Sequence, residues 1–175
     1  VYFLWLMSLS MLMCFAAITN AQIVSECNVE GLEVFLNDPD MTGTNVRETP
    51  GGKVTRVIKN DPQQEIYLSF KVCKMEGDWL CVKGGFHKIK VEGWIHNSVV
   101  TTKIAAYTPQ EPKLIFDNAD ASKKIVDKVS VERSVKILAI HGLYSKIEYQ
   151  NSNDEKIRGY ISNYDLCGNP YSNCN

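Results

Sequence analysis

One short β-rich unit occurs twice along this chain, and that repetition leaves few architectures open. The first copy is densest between Gly77 and Val100. A tight turn runs into a tryptophan (Gly77-Asp78-Trp79), a strand follows (Leu80-Cys81-Val82-Lys83), and the unit closes on Gly93-Trp94-Ile95-His96-Asn97-Ser98-Val99-Val100. About 65 residues later the plan returns as Gly142-Leu143-Tyr144-Ser145-Lys146-Ile147 and Gly159-Tyr160-Ile161-Ser162-Asn163-Tyr164-Asp165-Leu166.

Strand signals surround both copies. Between Glu65 and Lys74, Ile66, Leu68, Phe70 and Val72 share one face, and Tyr67, Ser69, Lys71 and Cys73 share the other. Period two of this kind is a half-buried strand. After the Glu76-Gly77-Asp78 turn, Leu80 and Val82 continue the apolar face, while Trp79, Cys81 and Lys83 point outward with Cys73. A three-residue loop there sets Cys73 opposite Cys81, within reach for a disulfide on the outer face of a hairpin. Lys88-Ile89-Lys90-Val91 is a further short strand, and Asn37-Asp38-Pro39-Asp40, Pro50-Gly51-Gly52 and Asn60-Asp61-Pro62 carry turn chemistry. No helical stripe runs beyond a turn or two. Short strands between Gly and Pro turns predict an all-β chain built as a small barrel or sandwich.

Residues 101–112 contain Pro109 and Pro112 and read as a linker. The second unit then opens with Leu114-Ile115-Phe116, turns at Asp117-Asn118-Ala119-Asp120, and continues through Ile125–Val129 and Val135–Ile140. Aligning Trp79 with Tyr144 sets Leu138 under Cys73 and Lys146 under Cys81. Both cysteines are therefore missing together from the second copy, as a bonded pair would be.

The chain begins with an apolar run, residues 1–18, followed by Thr19-Asn20-Ala21-Gln22. Small residues after such a run predict a secretory signal cleaved after Ala21; a membrane anchor is the competing reading, because the run is nearly long enough to span. Export makes Cys27, Cys73, Cys81, Cys167 and Cys174 disulfide candidates, with one left over. Cys167 and Cys174 close a short loop that ties down the C-terminus. With 19 basic and 20 acidic residues the formal charge is −1, so no global field draws in nucleic acid or an anionic membrane.

Four landmarks resemble the bacterial SH3 domain family: Thr44-Asn45-Val46-Arg47, Thr49-Pro50-Gly51-Gly52-Lys53-Val54, Gly77-Asp78-Trp79-Leu80-Cys81-Val82 and Gly93-Trp94-Ile95. In the copy from 113 to 166, Ile115-Phe116 stands for Val-Arg, Ala119 for Pro, and Tyr144 and Tyr160 for the two Trp. The tail from Cys167 to Cys174 is similar to the ending of some exported members. The resemblance implies two small SH3-like barrels in tandem. Their expected bounds are a signal peptide over 1–21, a lead-in over 22–31, barrels over 32–100 and 113–166, and a disulfide-closed tail over 167–175. It also implies an extracytoplasmic module that targets cell-wall peptides. The eukaryotic form reads Pro-rich peptides with a Pro and a Tyr after its closing Gly-x-Ile. Here those places hold His96 and Val99, then Ser162 and Asp165, so a Pro-peptide groove is not expected.

Trp79, Trp94, Tyr144, Tyr160 and His96 form the expected ligand-binding set. Outward rings beside a turn offer rigid area for stacking on a peptide or a sugar; the competing job for each is packing over its own barrel. Cys81 with His87 or His96 has the elements of a thiol nucleophile and base, but Cys73 is the expected partner of that thiol and no Cys-Ser-Gly helix start is present, so no enzyme activity is expected. Cys73, Cys81, His87 and His96 lack the close ligand pairs of zinc sites, and no metal or cofactor is expected. Lys123-Lys124 reads as solvated charge. The resulting expectation is an exported, periplasmic or extracellular, non-enzymatic protein that binds cell-wall peptide or glycan. A protein-interaction module, either an envelope assembly partner or an inhibitor of the immunity type, is the alternative.

Overall fold

The computed structural model describes residues 29–59, 68–86, 89–120, 122–169, 171 and 174. The expected signal peptide, Cys27, Tyr67, His87 and Lys88 lie outside the described residues. Among those described, the chain forms strands β1 (Glu33–Leu36), β2 (Thr44–Arg47), β3 (Val54–Ile58), β4 (Ser69–Glu76), β5 (Trp79–Phe86), β6 (Ile89–His96), β7 (Val100–Ile104), β8 (Lys113–Phe116), β9 (Ile125–Val129), β10 (Arg133–His141), β11 (Tyr144–Gln150), β12 (Lys156–Ser162) and β13 (Leu166–Cys167). One-turn 3-10 helices at Asn97–Val99 and Asn163–Asp165 precede β7 and β13. The chain is all-β, as its short alternating segments predict.

The repeat read from sequence recurs in the pairing. In the first half β2 pairs β3 and β6, and β5 pairs β4 and β6. In the second half β8 pairs β9 and β12, and β11 pairs β10 and β12. Irregularities repeat as well: the β4–β5 register shifts between Val72 and Lys74, and the β10–β11 register between Ile137 and Ala139. Cys73 and Leu138, aligned in the sequence, are thus both bulge residues.

All these pairs are antiparallel and form one open sheet, in the order β3-β2-β6-β5-β4-β1-β7-β10-β11-β12-β8-β9, with β13 paired to β7. Two separate barrels joined by a linker over 101–112 are not shown: the strand order runs on from one half to the other through β7. Its residues alternate between buried and half-buried (Val100, Thr102 and Ile104 inward), so residues 101–104 are strand rather than linker. β7 stands to the second half as β1 stands to the first. Val34 faces Phe70 while Leu36 faces Val100; Thr102 faces Val135 while Ile104 faces Leu166. One strand therefore closes the first half and opens the second.

The apolar faces meet in a single core that runs from Leu32 to Leu166 through both halves, with Val34, Val72, Leu80, Val82, Ile95, Ile104, Ile115, Ile147 and Ile161 fully buried. Each such side chain stabilises the fold by about 1.5–3 kcal/mol relative to exposure. Buried polar groups pin the halves together. The Asn97 side chain donates to the Ile137 carbonyl, and Thr102 Oγ1 donates to the Cys167 carbonyl at 3.0 Å. Asn163 Nδ2 donates to the carbonyls of Glu30 and Gly142 at 3.0 and 3.1 Å, and Asn163 Oδ1 accepts from Ser145 Oγ at 2.7 Å.

Candidate functional site

The outer face of β5, β6 and β2 gathers the residues on which binding was expected. Register places them in two rows. Cys81 faces Trp94, and Trp94 faces Arg47; one step along, Glu76 faces Trp79 and Trp79 faces His96. Paired positions in an antiparallel ladder point to the same side, so these side chains share one surface. The Trp79 and His96 rings meet edge to face, 5.0 Å between centroids at 79°. Arg47 lies over the indole of Trp79, with Cζ 5.5 Å from the ring centroid. Its Nη1 donates to the Gly52 carbonyl at 2.6 Å, fastening the guanidinium to the β2–β3 turn. Its Nε is buried without a hydrogen-bond partner among the described residues. His96 Nδ1 accepts the Ser98 backbone N–H at 3.3 Å and caps the 3-10 turn.

Exposure separates the two tryptophans. Trp79 is half-buried, but Trp94 is only 8% exposed, covered in a satellite cluster with Cys73 and Cys81. Alternation places Trp94 on the outer face, as the sequence indicates; it does not reveal that this face is itself roofed over.

The expected Cys73–Cys81 bridge is corrected. The β4–β5 turn has two residues, so Glu76 faces Trp79 and Cys81 faces Lys74, and Cys73 is displaced into the bulge. Cys81 is a free, buried thiol while Cys73 is disulfide-bonded. Burial pushes the Cys81 thiol up to about 11, with the charge of Glu92 adding to the effect. It is protonated at neutral pH, unlike the thiolate that nucleophilic catalysis needs. The Cys167–Cys174 bridge is present, joining a fully buried residue of β13 to the tail. Among the described residues no three His, Cys, Asp or Glu side chains stand where a single cation would reach them.

The second half carries an equivalent face with other chemistry. Phe116 faces Tyr160 where Arg47 faces Trp94. Tyr144 and Tyr160 are half-buried. Tyr144 meets Phe116 edge to face at 6.4 Å, and Tyr160 meets His141 at 5.4 Å. Lys123, read from sequence as solvated, instead sits over Phe116 and Tyr144, its Nζ 4.5 and 4.2 Å from the ring centroids, and donates to the Tyr144 hydroxyl. Lys146 lies 5.7 Å from the Tyr160 centroid. Ser162 replaces His96 as the cap of its 3-10 turn. Sequence reasoning thus finds the rings but misses both cations. Arg47 was visible only as part of a motif, and nothing local to Lys123 signals that its turn folds back over two rings.

No protein family and no curated protein matches the chain. Among solved structures it is similar to NlpC1 from Trichomonas vaginalis, at 15% identity and a TM-score of 0.31, with 81% of this chain covering 46% of that one.

Proposed function

We propose that the protein is an exported, non-enzymatic binding protein built from two SH3-like units, and that the aromatic face of the first unit binds a cell-wall peptide or glycan. The tandem reading is supported by the doubled pairing scheme and by the 3-10 turn that precedes the last strand of each half. One observation carries the binding reading: Trp79, His96 and Arg47 lie against one another on a single outer surface, with Trp79 half-buried. A ring held edge-on by one neighbour and face-on by another is already immobilised, so little side-chain entropy is lost on contact with a ligand. Retention on purified peptidoglycan tests the reading. The wild type is retained and Trp79→Ala is released; no retention of the wild type, or equal retention of both, refutes it.

A second reading, a protein-interaction module, is favoured by the end of the sheet. β9 pairs only β8 among the described residues, and its Ile125 and Val126 are about half exposed at 50% and 48%. An open edge of this kind accepts a strand from a partner. Co-purification of a stoichiometric protein with no retention on wall fragments selects this reading.

A further inference from the structure

We propose that the aromatic face of each half recognises a ligand carboxylate, through Arg47 in the first half and Lys123 in the second; this rests on reading that face as a binding site. The two cations come from different places, Arg47 from β2 and Lys123 from the turn between β8 and β9. Each nevertheless lies over the same ring of the repeat, Trp79 or its counterpart Tyr144. Two unrelated sequence solutions thus place positive charge at one site.

Neither charge is matched. Among the described residues no carboxylate stands within 4.0 Å of Arg47 or Lys123, a trait they share with other cations such as Arg133 and Lys146; what sets them apart is their place over the ring. Both are half-buried. A guanidinium offers five N–H donors in a planar fork; here one serves the Gly52 carbonyl, and Nε is sealed in without a partner. A partly desolvated cation with unmet donors attracts an anion more strongly than one in water. The fork fits a carboxylate by two parallel hydrogen bonds, and Trp79 beneath it keeps the guanidinium plane in position. With a net charge of −1 the chain has no general attraction for anions, so the recognition is local.

Triglycine with a free C-terminus, and its C-terminal amide, are the probes. Each is titrated into the oxidised protein while tryptophan fluorescence is followed, because Trp79 lies directly against Arg47. The free acid is expected to give a saturable change, with the amide at least about tenfold weaker. Arg47→Gln should lose the preference for the acid, Arg47→Lys should recover part of it, and Lys71→Gln, on an exposed lysine, should keep it. If Arg47→Gln fails to fold, the acid-against-amide contrast on the wild type decides alone. Equal binding of the two probes, or no response to either up to their solubility limit, overturns the proposal. The same variants distinguish it from the wall reading. Wall retention that needs Trp79 but is indifferent to Arg47→Gln removes the carboxylate and leaves the wall. Binding of the free acid without wall retention does the reverse. Blocking peptidoglycan carboxylates with carbodiimide and methylamine separates the sources: release places the carboxylate in the wall, and retention of the acid by a protein that never holds wall places it on a polypeptide C-terminus.

Discussion

Cys81 faces Lys74 across the β4–β5 hairpin, and Cys73 is the extra residue beside that pair. The thiol is sealed beneath Trp94 and Trp79. It should resist alkylation in the native protein at pH 8 and react at once in denaturant. The pH dependence follows from its folded value of about 11 against a reference of 9.0. The folded state holds the proton more tightly, so this contribution is complete below pH 9 and is lost as pH rises from 9 to 11. The loss amounts to roughly 2 kcal/mol. Denaturant unfolding of wild type and Cys81→Ala at pH 8, 9.5 and 11 reads it as a difference that narrows with pH; a constant difference contradicts it.

Asn163 has no exposed surface and three side-chain partners, on Ser145, Gly142 and Glu30. Asn163→Ala leaves the buried Ser145 hydroxyl, and the part-buried carbonyls of Gly142 and Glu30, without this partner. The expected cost is about 2–3 kcal/mol in equilibrium unfolding. Asn163→Asp should cost at least as much, because two of those partners are carbonyl oxygens.

Gly93 and Gly159 occupy the same place in the two units, where β6 passes β2 and β12 passes β8. A Cβ on Gly93 would stand 2.7 Å from Val46 Cγ1 and 2.8 Å from the Arg47 carbonyl oxygen, at φ +145. On Gly159 it would stand 2.4 Å from Ile115 Cγ2 and 2.8 Å from the Phe116 carbonyl oxygen. Either change to Ala should destabilise by about 2–3 kcal/mol. Gly77→Ala, at φ +55 in a turn with nothing within 4 Å, should cost only about 1 kcal/mol. Equal effects at all three would show that crowding is not the cause.

The Cys167–Cys174 bridge spans seven residues of chain. In the chain-entropy view a loop of that size contributes about 2–3 kcal/mol. The tail it fastens also accepts Ser69 Oγ at the Gly168 carbonyl, 2.7 Å, and donates from Cys174 N to the Tyr107 hydroxyl, 3.0 Å. Cys174→Ser should lower the unfolding midpoint and expose the segment after Cys167 to proteolysis; protection unchanged from the wild type would rule out a fastening role.

The sequence was legible where local chemistry decides the outcome. Period two in Ser69–Lys74 gives the strand, Gly77 gives the turn, and the alignment of Trp79 with Tyr144 gives the repeat, but not the bulge that Cys73 and Leu138 share. It failed where one residue changes a count. A two-residue turn in place of three moves Cys81 from Cys73 to Lys74. It failed again where distant segments meet: the prolines after Thr108 signal a break, but the pairing that makes 101–104 a strand comes from β1, β10 and β13. Lys123 belongs to the same class, since a lysine in a polar turn looks solvated until two rings are known to lie beneath it.

The double use of β7 means that this duplication cannot be undone with a single cut. Severing the chain after Ile104 leaves the first half complete and the second with β10 and β13 bereft of their neighbour; severing before Val100 reverses the injury. However the two copies came to lie side by side, each now depends on a strand it does not own alone, and they inherit damage together.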